Sequence, residues 1–406
     1  MSEQPINVPP EKGPPGVAPR RPLALRLAHG GPFFHIQRKL GLVHETDLRA
    51  WPRAALYVSL AWAVPLFLTL PILSGSSSAM SDYLSDPAPL SRFLIGVGCF
   101  ILAEKRIEAT VDEKLSQFDH TALVATGSQA LQGKAASLAE RRKNAGFAEV
   151  ICLLLAVAAS AFAFDSHRDG SVLTWAATQE VDETVITLAG WWCLFVSIPL
   201  FFFLFLRCLW RHVVLVGFLH RLACFNLRLV ATHPDGKAGL SFFGNYPNAY
   251  WPFVFGASCA IAAALWKHAG QSALSATTFA TVMGAWLLIV LVFFAAGLLA
   301  FSQPIRAVKE ASLQKISAQA TIFQRSSERH ALGENVAAND PSEKEDLAGP
   351  DMTKQYEQVG KVSSLLVDRS MLLPLAAAAL LPFSVAGATH LPAKEVLSVF
   401  KKLLLL

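Results

Sequence analysis

Seven long apolar stretches constrain this chain more than any other feature of its sequence. They lie near residues 54–73, 88–107, 148–164, 186–206, 250–266, 277–301 and 371–389. About 20 apolar residues in a helix cross the hydrocarbon core of a bilayer. Backbone groups in lipid must be hydrogen bonded within their own segment, so each stretch is predicted to be a helix. Only 16% of the residues are charged, against about 25% in an ordinary soluble domain, and this excludes a soluble globular protein.

The second stretch is short, but the distribution of basic residues indicates that it also crosses. Its uninterrupted apolar part runs only from Phe93 to Ala103, between Arg92 and Glu104. Lys and Arg are retained on the cytoplasmic side in short loops. Most of the 35 Lys and Arg residues lie before the first stretch or after the second, fourth and sixth. Seven crossings are therefore predicted, with the N-terminus in the cytoplasm and the C-terminus outside.

The predicted architecture is an all-α membrane protein of seven transmembrane helices with long cytoplasmic helical extensions. Residues 1–53 are expected to form a disordered, basic cytoplasmic region, and 54–302 the first six spans. Residues 303–370 are expected to form a cytoplasmic helix and a flexible linker that begins near Ser326. Residues 371–406 are expected to hold the seventh span and an amphipathic tail on the outer surface. The helical spacing of Ile107, Val111, Leu115 and Phe118 predicts that the second span continues into the cytoplasm.

Charged residues near the second and fourth stretches are the first candidate site. The segment 207–230 has no Gly or Pro pair to stop a helix, and its four arginines fall within an arc of about 100° on a helix. This basic face, a candidate site for an anion or lipid headgroup, is made of Arg207, Arg211, Arg221 and Arg228. Glu104 and Arg106 are gating candidates, because ionisable residues in membrane segments are costly. The alternative for Glu104 is pairing with an arginine of the fourth helix.

A polar turn after the fourth stretch is the second candidate site. It comprises Thr232, His233, Pro234, Asp235, Gly236 and Gly239. Pro and Asp-Gly are turn signals, so the structural interpretation is a tight turn at the cytoplasmic membrane face. The functional alternative is a proton or metal site on His233 and Asp235. Two ligands do not make a metal site without more.

No motif in the sequence assigns a catalytic residue, a metal or a cofactor. The six cysteines lie in or beside apolar stretches without C-x-x-C spacing, which is typical of packing residues. The basic residues between Arg20 and Arg53 indicate anionic inner-leaflet lipid as a partner rather than nucleic acid. Small residues four positions apart, such as Gly256, Ala260 and Ala264, favour helix packing, and a homo-oligomer is an open alternative.

Three segments resemble an uncharacterised family of bacterial polytopic inner-membrane proteins. They are AGWWCLFVSIPLFFFLFLRCLWR, LRLVATHPDGKAGLSFFG and ALLPFSVAGATHLPAKEVLSVFKKLLLL. The family carries a THPDxxGGL-like turn after its fourth span and a Leu/Pro-rich last span. In this chain Ala238 occupies the position of the first glycine of that pattern. The resemblance implies a bacterial inner-membrane location and this topology, without an activity.

Three functions stay open at this stage. The odd number of spans and the small-residue last helix favour a channel or pore-like pathway for small ions or solutes. The alternative is a non-transporting membrane scaffold or sensor that binds lipid or a partner through the arginine helix and the polar turn. A membrane enzyme using His233 and Asp235 is the third.

Overall fold

The computed structural model describes most of the chain, and it is nearly all helical. The described residues are 25–45, 47–71, 78–121, 123–124, 129–168, 175–180, 183–271, 276–337, 351–367, 369–389 and 392–404. Residues 1–24 and part of the linker, 338–350, lie outside them.

Six helices in the described part of the chain are long and apolar enough to cross a membrane. They are α2 (Ala50–Leu68), α4 (Pro87–His120), α6 (Gly146–Arg168), α7 (Leu188–Ala223), α8 (Trp251–Gln271) and α9 (Ala276–Leu299). A 3₁₀ helix, Ser241–Tyr250, leads directly into α8. The other helices are α1 (Pro32–Lys39), α3 (Ala79–Ser85), α5 (Gln129–Lys143), α10 (Ser302–Leu332), α11 (Thr353–Lys361), α12 (Arg369–Ala388) and α13 (Ala393–Leu404).

The apolar part of helix α12, Leu372–Ala388, is shorter than the apolar parts of the six helices above. Even so, α12 lies in the core of the bundle. It packs along α8, the 3₁₀ helix and α9. Ala378, Ala379 and Phe383 are buried. The small residues of this helix therefore serve close packing within the chain.

Contacts at both ends show that the first helices alternate in direction. At one end, Arg53 of α2 and Arg207 of α7 both bind Glu104 of α4. At the other end, Trp175 Nε1 donates a hydrogen bond to Asp86 Oδ2 at 3.2 Å. A two-stranded antiparallel hairpin, β1 (Ala177–Glu180) and β2 (Glu183–Ile186), lies beside this second contact.

Two prolines explain two of the π-helical turns in the bundle. Pro65 cannot donate to the carbonyl of Ala61, and α2 widens to a π turn at Ser59–Ala63, as expected where an i→i−4 bond is missing. Pro199 stands in the same relation to the π turn Cys193–Ser197 of α7.

The carbonyls of the α2 π turn are satisfied by side chains from other elements. Ser197 Oγ donates to Ala61 O at 2.7 Å, and Trp192 Nε1 donates to Leu60 O at 2.9 Å. Tyr83 OH donates to Trp62 O at 3.0 Å. The hydroxyl of Ser197 thus replaces the N–H that Pro65 lacks.

Replacing Ser197 with alanine is expected to lower the free energy of unfolding by about 1–3 kcal/mol, because Ala61 O loses this donor in a buried position. The matched control is Ser160→Ala, whose hydroxyl bonds only to Ala156 O of its own helix at 3.4 Å. SDS-titration unfolding of both variants checks this. Equal effects would contradict the assigned role of Ser197.

Several sequence predictions are confirmed and others are wrong. The helical continuation after the second span is confirmed, since α4 buries Ile107, Val111, Leu115 and Phe118. A continuous helix over 207–230 is wrong. Helix α7 ends at Ala223, and the following residues pair elsewhere: Arg228 N donates to Leu123 O at 2.7 Å.

Two segments expected to be disordered or flexible are ordered. Residues 25–45 and 47–53 include α1 and the start of α2, and Leu25, Leu27 and Phe34 are buried. Helix α10 runs through Ser326 to Leu332 and ends at Gly333, which has φ +84°. The linker therefore starts later than predicted, because glycine is the residue that accommodates this left-handed C-terminal conformation.

Candidate functional site

Glu104 lies at the centre of a buried group of charges that joins four helices. Its carboxylate accepts from Arg53 Nη2 at 2.5 Å and from Arg207 Nη1. Arg53 and Arg207 are among the most deeply buried large side chains of the described chain. Glu104 is therefore paired, as in the alternative to the gating role, and its partners are arginines of both α2 and α7.

Glu149 extends this group to α6. Its Oε1 accepts from Arg207 Nε at 3.0 Å, and Arg211 Nη2 lies 3.9 Å from the same oxygen. Glu149 is 6% exposed. We call Arg53, Glu104, Glu149, Arg207 and Arg211 the ion cluster.

The ion cluster and its neighbours hold the segment 25–34, which we call the strap. Glu149 Oε2 accepts from Phe33 N at 2.7 Å, and Arg211 Nη2 donates to Gly30 O at 3.1 Å. Glu108 Oε2 accepts from Ala28 N at 2.7 Å. These bonds all reach main-chain atoms, so the end of the bundle binds the backbone of the strap.

Three further contacts hold the strap, one at Arg26, one at His29 and one at Phe33. Lys143 Nζ donates to Arg26 O at 2.6 Å. His29 Nδ1 lies 2.6 Å from Glu108 Oε1. The guanidinium of Arg207 lies over the ring of Phe33, 4.9 Å from its centroid, within the range of a cation–π contact.

Two glycines allow the strap to approach these charged side chains. Gly30 and Gly31 have φ values of +91° and +85°, which favour glycine. A Cβ on Gly30 would overlap Asn144 Oδ1, and one on Gly31 would lie 2.5 Å from Glu149 Oε1. The Gly30–Gly31 pair is therefore required by both conformation and space.

The charges of the ion cluster are buried, and pairing between opposite charges offsets the free-energy cost of burying them. An unpaired ion costs several kcal/mol to bury, and removing one partner of a buried pair costs about 3–5 kcal/mol. Three arginines here face Glu104 and Glu149, and Glu108 of α4 lies nearby, bound to the strap. Such an arrangement can fix the relative positions of helices and strap, and any change in one charge disturbs all of them.

The predicted basic face is not formed. Arg207 and Arg211 are buried and bound to carboxylates, whereas Arg221 is partly buried and Arg228 is exposed beyond the end of α7. The physical reason is that Glu104 and Glu149 face the first two. Arg106, the second gating candidate, is exposed, and its guanidinium lies 5.7 Å from the ring centroid of Trp251.

The polar turn is built around Asp235. Its Oδ1 accepts from Lys237 N at 2.9 Å and Gly239 N at 3.0 Å, and its Oδ2 from Ser241 N at 3.1 Å. His233 Nδ1 lies 2.9 Å from Oδ1. Burial raises the pKa of Asp235, but these hydrogen bonds outweigh it and hold the pKa below its usual value.

The turn also anchors the segment that leads to α12. Lys237 Nζ donates to Leu365 O at 2.6 Å, and Ser363 N donates to Gly236 O at 3.1 Å. Gly236, Ala238 and Gly239 have φ values of +64°, +56° and +91°. Ala238 thus adopts the left-handed conformation, which residues other than glycine rarely adopt.

Replacing Asp235 with asparagine is expected to lower stability at pH 7 by about 1–2 kcal/mol, through weaker acceptance of the backbone N–H groups. The depressed pKa stabilises the fold above the unfolded-state value near 3.8. That contribution begins to be lost as the pH approaches 3.8 and is lost fully below the lowered pKa of the folded state. Unfolding curves from pH 7 to pH 3 should therefore fall less steeply for Asp235→Asn than for the wild type. The exposed Asp112→Asn is the control, and an unchanged slope for Asp235→Asn would contradict the assignment.

Sequence reasoning missed the roles of Glu149 and the strap, and it grouped Arg53 with the lipid-facing basic residues, whereas Arg53 is buried against Glu104. A usable signal was present for Arg53 and Glu149, since ionisable residues at the start of apolar stretches follow the same cost argument that singled out Glu104. The strap has a weaker signal, the Gly30–Gly31 pair followed by Pro32, which is typical of a turn before a helix.

Among the described residues, no group of three or more His, Cys, Asp or Glu side chains is placed to hold a metal ion. Comparisons with protein-family models, curated proteins and solved structures gave no match.

Proposed function

We propose that α12 is a seventh span and that the ion-cluster end of the bundle faces the cytoplasm. Twenty residues in α12 correspond to about 30 Å of helix, the thickness of the hydrocarbon core. Trp266 Nε1 near the end of α8 donates to Thr389 Oγ1 just after α12 at 3.0 Å. The start of α12 follows the segment bound by the polar turn. These contacts support α12 running parallel to α8, with the C-terminus opposite the ion cluster.

The surface around the ion-cluster end supports the cytoplasmic orientation. Exposed basic residues there are Arg38, Lys39, Arg49, Lys105, Arg106, Arg141 and Arg142. Trp51 is 74% exposed near the same end, as expected for an aromatic anchor at a membrane interface. Anionic lipid of the inner leaflet is the partner that this surface fits. The extensions of α4 and α10 would then lie in the cytoplasm, and a bacterial inner membrane and a homo-oligomer stay predictions.

For the activity, we propose a non-transporting membrane scaffold or sensor. The observation that carries it is the ion cluster, whose charges are paired with one another and with the strap. Such a cluster holds the strap in place on the cytoplasmic face, where the exposed basic residues meet lipid. A change in lipid or partner at this face would reach the helices through the strap.

The lipid part of this proposal is tested by native mass spectrometry of protein extracted from bilayers with phosphatidylglycerol. Lys105→Glu combined with Arg106→Glu should reduce the number of retained anionic lipids. The control, Lys267→Glu, changes an exposed basic residue at the opposite end of α8 and should retain the wild-type number. Equal retention in all three would contradict the proposed lipid surface.

A channel is the second candidate, favoured by one observation: ionisable side chains lie within the bundle beneath the strap. Liposome flux assays separate the two proposals. The scaffold predicts no ion flux above protein-free liposomes for the wild type or Glu149→Gln. Flux in either, above that of protein-free liposomes, would replace the scaffold by a channel.

A further inference from the structure

A small cavity lies between the strap and the helices that hold it. Its volume is about 20 Å³, and Leu27, Ala28, Glu104, Cys208, Arg211 and Tyr250 contribute to its lining. One water molecule needs about 10–15 Å³ of such space. The cavity therefore has room for a single water-sized ligand.

Arg211 brings an unsatisfied donor to this cavity. Its side chain is 8% exposed, and its Nη2 donates to Gly30 O at 3.1 Å. Its Nη1 is buried and has no hydrogen-bond partner among the described residues. A buried charged donor without an acceptor is rare in folded proteins and costs at least 1–3 kcal/mol.

We propose that the cavity is a binding site for one water molecule, which accepts a hydrogen bond from Arg211 Nη1. The same water has Glu104 and the Tyr250 hydroxyl among the lining groups to receive its own hydrogens, and buried waters typically make about three hydrogen bonds. The Glu104 carboxylate in the wall disfavours a small anion in the same place. This inference is independent of the proposed function.

The water links the strap to the fourth and fifth membrane helices. The wall combines the strap residue Ala28, Arg211 of α7 and Tyr250, which directly precedes α8. Displacing the water would therefore leave Arg211 Nη1 without an acceptor and loosen the contact between Arg211 and the strap. Filling a dry cavity would instead tighten that contact.

The test uses the full chain in nanodiscs and two substitutions at one position. Ala28→Val adds apolar volume next to the cavity. With a water present, Ala28→Val is expected to lower Tm by several degrees, because the water is expelled. Ala28→Ser is expected to stay within about two degrees of the wild type, because its hydroxyl can accept from Arg211. A Tm for Ala28→Val at or above the wild type would overturn the proposal, since that is the result for a dry cavity.

A cryo-EM map provides the second measurement and separates a displaced water from simple overpacking by valine. The expected result is a density peak in the wild type within about 2.7–3.2 Å of Arg211 Nη1, absent in Ala28→Val. An empty cavity in the wild-type map would overturn the proposal. A Tm that depends on exchanging chloride for gluconate would also overturn it, in favour of an anion.

Discussion

Replacing Glu149 with alanine is expected to be the most destabilising single change in the ion cluster. The substitution removes the acceptor of Arg207 Nε and of Phe33 N and takes away the nearest carboxylate to Arg211. Breaking a buried pair from one side costs about 3–5 kcal/mol, because the remaining charge stays buried. SDS-titration unfolding and the yield of monodisperse protein measure this loss.

The matched control is Glu310→Ala on α10. Glu310 forms an exposed i,i+4 pair with Arg306 at 2.8 Å, and exposed pairs contribute about 0–1 kcal/mol. A loss for Glu149→Ala no larger than that of Glu310→Ala would contradict the ion cluster. A double variant gives a second test. The loss of stability for Glu149→Ala combined with Arg207→Met should be smaller than the sum of the losses for the two single variants, because the double variant leaves one fewer unpaired charge.

Replacing Gly31 with alanine is expected to release the strap. The new Cβ would lie 2.5 Å from Glu149 Oε1 at a residue with φ +85°. Backbone strain of about 1–2 kcal/mol and displacement of the carboxylate together amount to about 3 kcal/mol. Since about 1.4 kcal/mol corresponds to a factor of ten, the open form should increase about 100-fold.

Trypsin cleavage after Arg26 reports this opening, because the carbonyl of Arg26 is bound by Lys143 in the closed form. Opening should raise the cleavage rate about 100-fold when closing is faster than cleavage. The control is Gly41→Ala, which has φ +71° and open space at the Cβ position, and which should have only the smaller backbone effect. Equal rates for the two variants would contradict a steric role of Gly31.

The helices of this protein follow from the sequence, because apolar length and charge placement act locally. The six long apolar helices and the continuation of α4 to His120 were predictable in this way. The end of α7 at Ala223 was not, since it depends on pairing between Leu227 and Val124. Nothing in the local sequence separates that pairing from a longer helix.

Individual residues of the candidate site were predictable from the sequence, but the contacts that bring them together were not. Glu104 and the arginines of α7 stood out as charges near membrane segments, but their partners come from α2 and α6. Helical periodicity placed Arg207 and Arg228 on one face, whereas burial of Arg207 against Glu149 follows from helix packing. The sequence places the strap in a region expected to be disordered, because the polar and proline-rich residues 1–22 directly precede it. The order of the strap results from contacts with distant residues.

The most direct test of this account is hydrogen–deuterium exchange at the strap in the wild-type protein in nanodiscs. The main-chain N–H groups of Ala28 and Phe33 are bound to buried carboxylates. Peptides covering residues 25–34 should therefore exchange as slowly as peptides from the α4 helix. Exchange of this segment within seconds, as in a free chain, would contradict the central claim that charged residues of α4, α6 and α7 hold the strap.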